Sequence, residues 1–272
     1  MCILRDGRSA QTSDPFLKWV GSKRDYVQQI LERMPATIST FVDPFVGGGS
    51  VLNAVLASGR IRPGERVVAG DANALLIETF IAVRDSVETL ITAVRLLEKS
   101  RFNSNPTPAL FLYLNRRCFR GLYRVNRRGE FNVPYGCAGQ RNVPVDADHL
   151  RRVSRMYRRF CVHFVHGDWR HTVDFARIQL RAGVDMLVFL DPPYAGTFAD
   201  YTPNRFEEEE QTQLMQWMQT ADDRVVYCNA ARPSIMRALA DWDVTTRMVR
   251  RSICASDPSK TARECIARNF VH

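Results

Sequence analysis

The sequence predicts an α/β domain with a mostly parallel, doubly wound sheet, interrupted by one long helical and hairpin insertion. Three observations predict it. Short apolar runs recur with helix-length segments between them, as in Thr40 to Val42, Arg66 to Gly70 and Val184 to Leu190. Each of those runs ends in a carboxylate: Asp43, Asp71 and Asp191. Runs that are apolar on both faces and alternate with helices mark a parallel sheet, whose ligand sites lie at the carboxyl ends of the strands. The third observation is that this rhythm stops between about Asn73 and Phe160 and then resumes. The expected division is therefore 1–72 and 161–272 as one domain, with 73–160 inserted into it.

Totals narrow the class. The chain has 272 residues, 45% hydrophobic and 25% charged, which suits one such domain with a sizeable insertion. No apolar run approaches the roughly 18–20 residues of a membrane span. Met1 to Asp14 is polar and mixed in charge, unlike a signal peptide, so the expected compartment is the cytoplasm. Seven cysteines without a C-x-x-C pair read as reduced thiols; no disulfide framework and no metal site are expected. His163 and His166, three apart on a strand, face opposite ways and read as structural. No exposed apolar stripe is evident, so a monomer is expected. The net charge is +9, and it is concentrated in arginines: Arg116, Arg117, Arg120, Arg124, Arg127 and Arg128, then Arg151, Arg152, Arg155, Arg158 and Arg159. Arginine in preference to lysine suits phosphates and guanine edges.

Taken in order, Phe16 to Lys23 is an apolar and basic turn leading into a helix from Lys23 to Met34, which Pro35 stops. Trp19 there reads either as a core anchor or as a lid over a flat ring. Thr40 to Asp43 is a strand, followed by Gly47-Gly48-Gly49 and a helix from about Ser50 to Ser58. Such a strand–glycine–helix turn lets backbone approach a ligand closely. It has neither the spacing of a phosphate-gripping P-loop nor that of G-x-G-x-x-G. Arg66 to Gly70 is a strand ending at Asp71, placed either to hold a ribose diol or to cap the following helix. Leu75 to Leu97 reads as one helix, Ala109 to Phe119 as a short aromatic one, and Arg120 to Gly136 as a basic hairpin or extended loop interleaved with aromatics. Ala147 to Phe160 is a helix with Val153, Met156, Tyr157 and Phe160 on one face. The remaining expectations are a strand from Cys161 to Val165, helices at Phe175 to Arg181, Glu207 to Thr220 and Pro233 to Ala240, and strands at Val184 to Leu190 and Arg224 to Cys228. Two terminal strands, Val244 to Arg251 and Cys265 to Val271, are expected as antiparallel neighbours.

Asp191-Pro192-Pro193-Tyr194 closes the most apolar run. A turn with a capping aspartate is the bland reading. The chemical one is methylation of an exocyclic amine. The lone pair of adenine N6 is drawn into the ring, so acceptors aimed at its N–H groups would favour a more electron-rich nitrogen. The carboxylate of Asp191 and the carbonyl of Pro192 suit that task, prolines fix the carbonyl, and Tyr194 offers a face for stacking.

The full order of motifs carries a resemblance. Lys18-Trp19-x-Gly21-x-Lys23, Asp43-Pro44-Phe45-x-Gly47-Gly48-Gly49, Asp71, Phe131-Asn132-Val133-Pro134-Tyr135-Gly136, Gly167-Asp168 and Asp191 to Tyr194 together resemble the DNA adenine-N6 methyltransferases of the Dam family (D12 class, class alpha), over roughly residues 16–270. The resemblance implies a seven-stranded, mostly parallel sheet of the S-adenosylmethionine-dependent methyltransferase fold, with 73–160 as the target-recognition insertion. It implies S-adenosyl-L-methionine as cofactor and double-stranded DNA as partner. It assigns Trp19, Lys23, Phe45, Gly47, Asp71, Asp168 and Asp191 to the cofactor, and Asp191, Pro192 and Tyr194 to the flipped adenine. Phe119 would wedge into the duplex, and Lys18, Leu122, Arg124 and Pro134 would read GATC; Arg120 and Asn126 complete the expected DNA contacts. Ser22 stands where the family usually has glycine, and Arg120 where GATC readers usually have asparagine.

The leading expectation is thus a site-specific adenine-N6 methyltransferase acting in GATC. Two alternatives stay beside it: an adenine methyltransferase of a restriction–modification pair with another site, and a catalytically silent DNA-binding protein on the same fold.

Overall fold

The computed structural model describes residues 13–97, 107–119, 123–124, 126, 133, 145–178, 184–194, 206, 208–250 and 261–271. The helices are α1 (Val27–Glu32), preceded by a 3-10 turn at Arg24–Tyr26, α2 (Ser50–Ala57), α3 (Ala74–Asp85), α4 (Val87–Leu97), α5 (Pro108–Arg117), α6 (Ala147–Arg159), α7 (Trp169–Ile178), α8 (Glu208–Thr220) and α9 (Pro233–Ala238). The strands are β1 (Ile38–Asp43), β2 (Ile61–Asp71), β3 (His163–His166), β4 (Met186–Leu190), β5 (Arg224–Ala230), β6 (Asp243–Arg250) and β7 (Thr261–Arg268). They form one seven-stranded sheet in the order β3-β2-β1-β4-β5-β7-β6. β3 through β5 run parallel, and β7 lies antiparallel between β5 and β6.

Period-2 alternation divides the core into two layers. Phe41, Val67, Ala69, Leu187, Phe189 and Val226 face one layer, with residues of α1 to α6. Their neighbours Val42, Val68, Val188, Leu190, Val225 and Tyr227 face the other, with residues of α7, α8 and α9. β4 is buried along its whole length, which explains its unbroken apolar run. α3 to α6 join the first layer rather than forming a separate core: Leu76, Ile77, Phe80, Leu112, Leu150, Val153 and Tyr157 lie in the same cluster as β1 and β2.

Several elements differ from the sequence expectation. The single helix expected at Leu75 to Leu97 is two, broken at Ser86, whose backbone leaves the helical region (φ −140°, ψ 44°). There the Arg84 guanidinium grips Asp85 through two 2.7 Å bonds, and the Ser86 carbonyl receives the Leu90 N–H that starts α4; short polar side chains compete with helical bonding at such a point. α7 starts six residues before the expected Phe175, because Asp168 accepts the His171 N–H at 3.0 Å and caps it. β2 begins at Ile61 rather than Arg66; its outer half is exposed and lacks an apolar run. Most of the expected hairpin 120–136 lies outside the described residues.

Candidate active site

Three adjacent strands deliver three carboxylates to one rim. β2, β1 and β4 are neighbours in the sheet. Asp71 and Asp43 end the first two, and Asp191 follows the last residue of β4. All three are pushed above the usual carboxylate range, with burial as the main cause: Asp71 to about 6, Asp191 to about 6, and Asp43 well up. Burial disfavours the charged form unless partners offset it.

The glycine loop holds Asp71 in place. The Gly47 N–H donates to its Oδ2 at 3.1 Å and the Asn73 N–H to its Oδ1 at 2.9 Å. Asn73 in turn caps α3 by accepting the Leu76 N–H. The cap is therefore Asn73, and Asp71 faces the loop. Gly47 has a positive φ of 46°, and a Cβ there would sit 2.8 Å from Cδ1 of Trp19; one on Gly48 would sit 2.6 Å from Cβ of Trp19. Only glycine admits Trp19 so close. Trp19 is half-buried over the loop, with Phe111 of α5 at 6.3 Å between ring centroids. Phe45, half-buried, packs edge-on against Phe206 at 5.6 Å.

The segment carrying Trp19 is pinned from the insertion side. Asn115 of α5 accepts the Lys18 N–H at 2.9 Å and donates to the Lys18 carbonyl at 2.7 Å. Arg116 donates to the Phe16 carbonyl at 2.9 Å. Four residues after Trp19, Lys23 is 3% exposed. Its backbone N–H donates to Ser50 at the start of α2, and its Nζ donates to the Gly21 carbonyl at 2.8 Å. The same Nζ lies 2.5 Å from Asp191 Oδ2 and 5.0 Å from the centroid of the Tyr194 ring. Burial, the largest influence, lowers the Lys23 pKa, but Asp191 together with Cys228 and Glu264 outweighs it and the net shift is upward.

Asp191 is thus half satisfied. Oδ2 takes the ammonium, while Oδ1 is buried and has no hydrogen-bond partner among the described residues. A native structure rarely leaves a buried carboxylate oxygen without a donor. Pro192 is buried beside it, and Tyr194 is half-buried with its hydroxyl pKa raised by burial and then by Asp191.

The structure therefore brings Trp19, Lys23, Gly47, Asp71, Asp191, Pro192 and Tyr194 to one rim. Asp168 sits next to it, after β3, where it caps α7 and pairs with Arg170 at 3.4 Å. Among the expected DNA contacts, Lys18 is anchored through Asn115, and Phe119 packs half-buried against the core. Arg124 and Asn126 are half-buried. Arg120, Leu122 and Pro134 lie outside the described residues. Sequence reasoning passed over Asn115, an unremarkable residue in an aromatic helix. It also gave Asp43 no role, although its place at a strand tip ahead of the glycines was visible.

A seven-stranded sheet of this order, with a reversed β7 and a glycine loop facing strand-tip acids, is a doubly wound α/β fold of the methyltransferase type. The chain belongs to the D12 class N6 adenine-specific DNA methyltransferases, whose family profile matches residues 19–250. It is similar to the Type II methyltransferase M.MjaIII of Methanocaldococcus jannaschii, at 31% identity over 77% of this chain and 81% of that one. The Type II methyltransferase M1.LlaDCHI of Lactococcus lactis subsp. cremoris is 26% identical, over 94% of this chain and 95% of that one. The DNA adenine methylase of Haemophilus influenzae is 30% identical, over 74% and 72%.

Proposed function

We propose that this chain methylates N6 of an adenine flipped out of double-stranded DNA, with S-adenosyl-L-methionine as donor and GATC as the site. The reading assigns catalysis and donor binding to 1–72 and 161–272, and target recognition to 73–160. The observation that carries it is the buried, unpartnered Oδ1 of Asp191 at the end of β4.

The residues present fit the donor. Asp71, fixed by two backbone N–H groups, has lone pairs left for a ribose diol, and Gly47 and Gly48 let Trp19 lie directly against the loop beside it. Lys23 is close enough to Asp191 to serve a second carboxylate brought by the donor. When bound, the donor supplies an electrophilic methyl group. Asp191 Oδ1 accepts an N–H of the amine and keeps electron density on the nitrogen as the bond forms, while Tyr194 stacks on the base. No covalent link to the enzyme is required; alignment supplies much of the acceleration.

Expression in a methylation-free host, followed by sequencing of modified bases, tests the reading. N6-methyladenine in GATC is expected, and Asp191→Ala should abolish it while sparing DNA binding. Near-normal methylation by that variant would refute the mechanism, and modification at another sequence would refute GATC alone. Two of the relatives are named Type II methyltransferases, which makes a site other than GATC the second reading. Arg124→Ala should lose about 1–3 kcal/mol of discrimination at one base pair; uniform weakening across all sequences would make Arg124 a phosphate contact.

A further inference from the structure

Besides Asp43, the rim carries one more acid that the proposed chemistry leaves unused. Glu264 lies on β7 opposite Ala230 of β5, two strands along from β4 and at the same end of the sheet. Tyr26, three residues after Lys23 and 6% exposed, donates to Glu264 Oε2 at 2.5 Å. Tyr26 is itself clamped: Arg247, facing Glu264 across the β6–β7 pair, lays its guanidinium 4.0 Å from the Tyr26 ring centroid and donates to Gln29 at 2.6 Å. A residue on the last strand is thus tied through a tyrosine to the turn that delivers Lys23.

The need for a second acid follows from charge. Lys23 touches Asp191 at 2.5 Å, and an ammonium that close, away from water, cancels much of the field with which the carboxylate would act on an amine. Lys23 and Asp191 alone sum to zero, whereas a methyl-sulfonium donor brings one positive charge to the same place. During transfer that charge passes from sulfur to N6: the C–S bond breaks with its electron pair on sulfur, the N6 lone pair forms the new bond, and the charge leaves when N6 loses a proton.

Resting on the proposed methyltransferase reading, we infer that Glu264, held by Tyr26, is a positioning residue that shares Lys23 with Asp191. It adds negative charge beside the Lys23–Asp191 pair and leaves Asp191 the stronger acceptor. Glu264 acts on Asp191 through space: it opposes ionisation of Asp191, while Lys23 favours it. The other groups facing Asp191 are Asp43 of β1, Tyr26, Tyr194 and Cys228 of β5.

Glu264→Gln, isosteric and uncharged, and Tyr26→Phe, which frees the carboxylate, test this in the full chain. Two measurements are needed: the pKa of Asp191 in the ligand-free protein, by NMR of carboxyl-labelled aspartate, and single-turnover methylation against pH. Glu264→Gln should lower the Asp191 pKa, move the acid limb of the rate profile the same way, and cut the plateau rate roughly tenfold, less than loss of a directly bonded group. Tyr26→Phe should weaken the rate in the same direction and by less, and Glu264→Asp should recover part of the loss. An Asp191 pKa that stays put in Glu264→Gln overturns the inference, whatever happens to rate or melting temperature. The NMR arm needs no turnover, so it still decides the matter if the protein proves not to methylate adenine; the wild-type rate judges that reading separately.

Discussion

In the proposed reaction Asp191 accepts from the amine most strongly as the carboxylate, yet its surroundings favour the neutral acid. Burial raises its pKa to about 6 against the pull of Lys23. Two outcomes follow, of opposite sign. Methyl transfer should fall as pH drops below about 6, because the protonated acid no longer polarises the amine; a single-turnover profile flat down to pH 5 would contradict this. Stability of the ligand-free protein runs the other way. A carboxyl whose folded pKa exceeds its unfolded value of 3.8 contributes stability that is present below 3.8 and lost as pH rises through 6. Relative to Asp191→Asn, the wild type should therefore gain on the order of 1–3 kcal/mol between pH 7 and 4 in denaturant titrations. Asp71, raised to about 6 by the same cause, behaves alike and is present in both proteins, so its contribution cancels. The position of Asp191 was legible in the sequence, since an apolar run that stops at Asp-Pro-Pro marks a strand end. Its pairing with Lys23, 168 positions earlier, was not, because no local pattern specifies which loop folds over which strand tip.

At the scale of elements, β4, β5 and the glycine-loop helix α2 stood out because their apolar patterns reflect burial on both faces or on one. What the sequence concealed was set by tertiary contact. The break at Ser86, the early start of α7 at its Asp168 cap and the outer half of β2 each depend on single polar bonds or on solvent exposure. The same is true of how the insertion is fastened. Tyr157 of α6, fully buried, donates to Asn53 Oδ1 of α2 at 2.6 Å, and Asn53 also donates to the Asp14 carbonyl at 3.0 Å. Two helices far apart in sequence are joined by one hydroxyl directly behind the glycine loop, where a Cβ on Gly49 would already press on the Phe80 ring at 3.1 Å. Tyr157→Phe leaves Asn53 Oδ1 buried and unpaired, and should cost about 1–3 kcal/mol in chemical denaturation. Because the ring stays, packing is kept. A loss under 0.5 kcal/mol would show that water takes the place of the hydroxyl.

For the molecule as a whole, the decisive feature is the separation of charge. The chain carries 38 lysines and arginines against 29 aspartates and glutamates, yet the rim of the sheet gathers Asp43, Asp71, Asp191 and Glu264 around Lys23. In the proposed reaction the acids sit where a cationic donor and an amine meet, and the excess of arginine lies elsewhere, on and around the insertion. Exposed basic side chains bind phosphates by releasing counterions, so that term falls with salt, whereas buried groups are screened far less. The two ligands of the proposed reaction should therefore respond differently to ionic strength. Between about 50 and 200 mM salt, duplex affinity should fall by at least roughly a hundredfold, linearly in log–log form. Over the same range, S-adenosylmethionine affinity should move by less than about threefold, because Asp71 and Asp191, the partners proposed for it, are half-buried. Fluorescence anisotropy on a GATC duplex and calorimetry with the donor measure the two slopes. Equal slopes would mean that the acidic rim is open to solvent in the working protein, and the division of labour between a half-buried catalytic edge and a basic recognition surface would have to be abandoned.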